Sequence, residues 1–137
     1  MGIKLILIAF LTPLFLSLFS NVFAESFIIN YSDNKRLYKW DGKYLIKYSN
    51  NKRLYKWDDK HIINYKTNKR LYKWKKNYLI KYSNSKRLYK WDEKHIIDYE
   101  NNKRLYRWDG TNIINYRNNK KLIKANRLIP IPILIFI

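Results

Sequence analysis

Arginine, tyrosine and tryptophan recur together five times in this chain of 137 residues, and the chemistry they could do is recognition rather than catalysis. The sets are Arg36, Tyr38 and Trp40; Arg53, Tyr55 and Trp57; Arg70, Tyr72 and Trp74; Arg87, Tyr89 and Trp91; and Arg104, Tyr106 and Trp108. Aromatic faces stack on sugar rings or bases, while guanidinium and ammonium groups neutralise phosphates or carboxylates. These fifteen residues are the candidate ligand-binding set. In the plainer alternative, Tyr and Trp form the core and the cations are a solvated surface that discourages edge pairing.

No residue makes a credible catalytic centre. His61 and His95 are the only histidines, and two imidazoles fall short of the four ligands of a structural zinc site. Asp92 and Glu93 are adjacent in a turn and cannot set the separation of a glycosidase pair. The serines lie in the leader and turns, without a His and an acid arranged to activate them. Beyond residue 24 the only glycines are Gly42 and Gly110, so no phosphate-cradling loop exists. No catalytic residue, metal ligand or cofactor is expected.

The elements that position the fifteen residues follow from repetition. The block Asn34-Lys35-Arg36-Leu37-Tyr38-Lys39-Trp40 returns at 51–57, 68–74, 85–91 and 102–108, with the same step from each start to the next. A decayed sixth copy is Asn119-Lys120-Lys121-Leu122-Ile123-Lys124-Ala125. A second block lies between the copies. It reads Tyr44-Leu45-Ile46-Lys47-Tyr48 at 44 and 78, and His61-Ile62-Ile63-Asn64-Tyr65, or a close variant, at 61 and 95. Asn112 opens the last copy, and a leading half-copy spans Phe27 to Tyr31. The alternation hints at a deeper unit, two hairpins long.

The blocks are short and rich in Tyr, Trp, Ile and Leu, and Asp-Gly, Asn-Asn or Ser-Asn punctuation separates them. That pattern predicts hairpin strands, not helices. The fold class is therefore all-β, with tandem 17-residue β-hairpin repeats forming an elongated antiparallel meander or solenoid-like array. The alternatives are propeller-like blades, each made of two such repeats, or two sheets paired by dimerisation. Strict alternation would gather Arg36, Tyr38, Trp40, Tyr44, Ile46 and Tyr48 on one face. A three-residue Asp41-Gly42-Lys43 loop would place Trp40 opposite Tyr44, and a two-residue Asn50-Asn51 loop would place Tyr48 opposite Arg53.

The two ends of the chain read differently. Residues 1–24 have a charged start, an apolar run from Leu5 to Phe19 and a small residue at Ala24, the order of a cleaved secretory signal peptide. The repeat domain spans 25–125. Residues 126–137 form an apolar C-terminal capping or edge segment, in which Pro130 and Pro132 suit an edge strand. The absence of cysteine removes any disulfide framework.

The chain has 29 Lys and Arg against 10 Asp and Glu, a formal net charge of +19. Such a balance attracts anionic partners. The expected function is a secreted non-enzymatic repeat protein of the periplasm or cell surface that binds anionic surface polymers or glycans multivalently. Its partners would be anionic polysaccharide, teichoic acid or lipopolysaccharide, and no intracellular nucleic-acid role is expected. The second hypothesis is a structural or self-associating β-repeat surface protein without a specific small ligand. Trp40-Asp41-Gly42-Lys43-Tyr44 and its copies loosely resemble secreted cell-surface-binding hairpin repeats. The 17-residue period and the missing glycine-tryptophan opening set them apart, so no residue roles carry over.

Overall fold

The computed structural model describes residues 25–137; the expected leader lies outside the described residues. Twelve strands follow in series: β1 (Ser26–Asn30), β2 (Arg36–Trp40), β3 (Tyr44–Lys47), β4 (Arg53–Trp57), β5 (His61–Asn64) and β6 (Arg70–Lys75). Then come β7 (Tyr78–Lys81), β8 (Arg87–Trp91), β9 (His95–Asp98), β10 (Arg104–Trp108), β11 (Asn112–Asn115) and β12 (Lys121–Lys124). One short helix, α1 (Ile131–Phe136), ends the chain. Every sequential pair is antiparallel, so the repeat is an all-β meander of hairpins, as its turns and aromatic content predict.

The meander does not run on as an open rod. It closes, with β12 pairing to β1. Closure is in register: Ile29 stands opposite Lys124 as Ile46 stands opposite Lys39. The leading half-copy and the decayed sixth copy thus complete one another as a sixth unit. A closed sheet has no unpaired edge to protect, which satisfies the backbone of strands only four to six residues long.

The register also differs from strict alternation, for two reasons. The loop after β2 has the expected three residues, 41–43, yet the pairing is shifted by one, so Trp40 faces Leu45 and not Tyr44. A β-bulge then interrupts each pairing from an odd strand to the next even strand. Leu45 faces Tyr55 while Ile46 faces Arg53, leaving Leu54 as the extra residue. The same step leaves out Leu37, Leu71, Leu88, Leu105 and Leu122. A bulge re-aims the residues beyond it. Tyr38 and Trp40 therefore point into the barrel, whereas Arg36, Tyr44, Ile46 and Tyr48 belong to its outer wall. The single aromatic face is corrected to two, one inside and one outside.

Three inner layers result. Trp40, Trp57, Trp74, Trp91, Trp108 and Ala125 form one. Ile28, Leu45, Ile62, Leu79, Ile96 and Ile113 form the next, and Tyr38, Tyr55, Tyr72, Tyr89, Tyr106 and Ile123 the third. Wall side chains just fill the interior of about eight strands, and a wider barrel needs a filling. Here the apolar tail supplies it. Ile129, Ile133 and Leu134 are buried in the core, and the Phe136 ring meets those of Tyr55 and Tyr72 at 4.6 and 5.1 Å. The tail caps the array, but as a plug ending in a helix and not as an edge strand. Pro130 precedes the first helical turn and Pro132 lies within it, where a missing N–H costs nothing. Ala125, in place of a sixth Trp, leaves the layer open where the chain turns inward.

The turns at one end use a left-handed residue at a fixed place. Asn34, Asn51, Asn68, Asn102 and Asn119 have φ of 56–59°, and Ser85 alone replaces Asn there, at 57°. Asparagine tolerates this region better than serine. Ser85→Asn is expected to raise stability by about 0.5 kcal/mol, read as a higher denaturation midpoint. At the other end Gly42 and Gly110 have φ of 95° and 92°, with Asp59 and Glu93 in the same role at 71° and 76°. The Lys76–Asn77 turn has both residues left-handed and is two residues long, yet Trp74 still faces Leu79.

Candidate functional site

The turns sort onto two rims of the barrel. One, the aspartate rim, carries Asp41, Asp58, Asp92 and Asp109. The other, the tyrosine rim, carries Tyr31, Tyr48, Tyr65, Tyr82, Tyr99 and Tyr116. On the aspartate rim each carboxylate accepts the backbone N–H groups that start the next strand, as Asp58 does from Lys60 at 3.0 Å and His61 at 2.6 Å. His61 Nδ1 lies 3.1 Å from Asp58 Oδ2, and His95 Nδ1 lies 3.0 Å from Asp92 Oδ2. Both histidines are thus committed to turn structure. Their rings meet Tyr82 and Tyr116 edge-on at 5.7 and 5.5 Å. No group of three or more metal-ligating side chains exists among the described residues.

Desolvation pushes the carboxyls of Asp58, Asp92 and Asp109 upward. The N–H and side-chain hydrogen bonds of His61, His95 and Asn112, with further N–H groups, outweigh it and hold all three below the ordinary carboxylate range. A depressed folded-state pKa contributes stability above the unfolded value and loses it as pH falls through the folded one. Thermal stability is expected to drop as pH is lowered below about 4. Asp58→Asn, which keeps the acceptor and removes the charge, is expected to be less stable near neutrality and to flatten that drop. An unchanged slope in melting scans at fixed ionic strength would remove this account.

The outer wall carries a module repeated six times. Arg53 illustrates it: its guanidinium lies 4.5 Å from the Tyr44 ring centroid and 5.7 Å from that of Tyr65, and the two rings meet edge-on at 5.5 Å. Tyr65 raises the Arg53 pKa further by hydrogen bonding. The same arrangement joins Arg36 to Phe27 and Tyr48, and Arg87 to Tyr78 and Tyr99. Arg70 lies 5.8 Å from the Tyr82 ring and Arg104 5.7 Å from that of Tyr116, each beside a histidine. In the sixth module Lys121 lies 5.3 Å from the Tyr31 ring, across the closing seam. Arg36, Arg70, Arg87 and Arg104 donate from Nη1 to the tyrosine hydroxyl at 3.3–3.4 Å. The six rim tyrosines remain 42–46% exposed.

The fifteen residues singled out by sequence therefore separate. The five arginines sit on the wall in equivalent modules. Tyr38, Tyr55, Tyr72, Tyr89 and Tyr106 pack partly buried against the core, and the five tryptophans line the interior. The outer aromatic partners, Tyr44 and Tyr78 with the rim tyrosines, fall in the second repeated block. Their signal was the invariant Tyr that closes that block, always at the same remove along the chain from its arginine, as Tyr48 is from Arg36 and Tyr82 from Arg70.

Two further rings of cations flank the modules. Lys35, Lys52, Lys69, Lys86, Lys103 and Lys120 lie in the turns, and Lys39, Lys56, Lys73, Lys90, Arg107 and Lys124 lie on the wall. Among the described residues, only Lys35, Lys39 and Lys86 of these meet an acid, at 3.4–3.8 Å. The wall can thus present many uncompensated cations on fixed, aromatic-supported positions. Comparison of the chain with protein-family models, with curated proteins and with solved structures gave no match.

Proposed function

We propose that this is a secreted, non-enzymatic protein whose barrel binds anionic polymers of a cell surface multivalently. The observation that carries the reading is the six-fold recurrence of one module, a guanidinium or ammonium held against aromatic rings, on a wall with few acids. A cation already ordered by stacking loses little freedom when it meets an anion. Six related sites, five built on arginine and one on lysine, add through effective concentration on one rigid ring, so weak single contacts give firm attachment. The leader-like residues 1–24 support a location outside the cytoplasm. Closure of the sheet removes the bare strand edges through which a β-repeat would self-associate, which favours the binding reading over the structural one.

Retention on immobilised heparin, teichoic acid or lipopolysaccharide tests the proposal. Firm retention at low salt that weakens steeply as salt rises is the expected result. Negligible retention on all three at low salt would overturn it.

A further inference from the structure

Binding is not spread evenly over the barrel: the geometry points to the tyrosine rim as the docking face and to an acidic polysaccharide as its occupant. This inference rests on the polyanion reading above and adds a place and a ligand class to it. Dividing the described chain at the waist of the barrel, the half with the tyrosine rim holds 16 Lys and Arg and 3 Asp and Glu. The half with the aspartate rim holds 12 and 7. Four of those seven acids, Asp41, Asp58, Asp92 and Asp109, are tied into the turns by N–H groups, so they stay where they would repel an anion. The three acids at the other end are Asp33, Asp98 and Glu100.

The tyrosine rim is also grooved. Lys103, Arg104, Leu105, Tyr106, Asn115 and Arg117 line a groove of about 440 Å³. The equivalent groove one repeat earlier, lined in part by Lys86, Arg87, Asp98 and Glu100, is about 100 Å³. The larger of the two is the more cationic, with Asn115 where its neighbour has Asp98 and Arg117 where it has Glu100. Six half-exposed tyrosine rings stand beside the guanidinium and ammonium groups. A sugar ring offers an apolar C–H face to such a surface, and the cations take its sulfate or carboxylate. A polyphosphate chain would use the cations and leave the rings idle.

The test compares variants of equal charge. Lys52→Gln, Lys69→Gln and Lys103→Gln together remove three positive charges from the tyrosine rim; Lys43→Gln, Lys60→Gln and Lys94→Gln remove three from the aspartate rim. Affinity for heparin, measured by titration, is expected to fall at least about tenfold in the first triple variant and less than about threefold in the second. Equal losses would overturn the placement. In a separate arm, Tyr65→Leu, Tyr82→Leu and Tyr116→Leu together are expected to weaken heparin binding about fivefold and to leave polyphosphate binding within about twofold. The Tyr→Gln triple gives the same reading if the leucine variant aggregates, and circular dichroism checks both folds. Equal losses on heparin and polyphosphate would overturn the glycan assignment and leave the polyanion reading standing. If the unaltered protein holds neither polymer, and neither teichoic acid nor lipopolysaccharide, that reading itself falls.

Discussion

Replacing Trp40 with alanine is expected to lower the unfolding free energy by about 3–5 kcal/mol, the range for deleting a buried large aromatic side chain. Trp40 is 1% exposed and belongs to the inner layer beside the entry of the tail. Its deletion removes the transfer free energy of the indole and leaves a void that a closed, in-register sheet cannot collapse to fill. Trp74 occupies the same place in its repeat but is only partly buried, so Trp74→Ala should cost less. Denaturant titration of both variants measures the difference. A loss below about 1 kcal/mol at Trp40 would mean that the indole faces solvent and that the inner layer is wrongly drawn.

Ile133→Ala is the second large effect, at about 2–5 kcal/mol. Ile133 is fully buried in α1, on the segment that partly fills the lumen; a cavity of about 330 Å³ remains between the helix and Tyr89, Ile96, Tyr106 and Ile113. Its loss loosens the plug from inside, and the Phe136 ring that leans on Tyr55 and Tyr72 goes with it. The expected signs are a lower melting temperature and new binding of a hydrophobic dye. A variant with unchanged melting would show that the tail does not fill the barrel. A companion substitution sharpens the point. Ala125→Trp restores the repeat consensus, yet it should destabilise by about 1–3 kcal/mol by overfilling the gap through which the tail enters.

Much of this fold was legible in the sequence because its determinants are local. Aromatic and branched blocks, with Asn and Gly at places that need a left-handed backbone, mark strands and turns wherever they occur. The sides of the strands were misread because Leu37 and its five copies look like ordinary strand residues. Nothing in a leucine announces that it will be skipped in pairing, and that skip turns Arg36 outward and Tyr38 inward. The one-residue shift that pairs Trp40 with Leu45 compounded the error. Closure was hidden for another reason: it depends on the accumulated stagger of twelve strands, which no single repeat reveals. The candidate site was half legible. The arginines were found, whereas their aromatic partners lie in the neighbouring block and meet them only once the register is known. Two prolines suggest an edge, and so the tail reads as a capping or edge segment; in a lumen with no edge to occupy, the same prolines start a helix.

Pairing of β1 with β12 also shapes how the molecule must assemble. Each of the other eleven strand pairings joins neighbours in sequence and can form as the chain grows, which favours rapid zipping along the repeats. The last one waits for residues nearly a hundred positions apart, such as Ile29 and Lys124, to meet. Until they do, the curved ribbon has two raw margins whose shapes fit each other. In a crowded compartment the margin of one chain matches that of the next as well as its own, so the interval before sealing is when interchain exchange threatens. Dilution during refolding should therefore raise the yield of monomer.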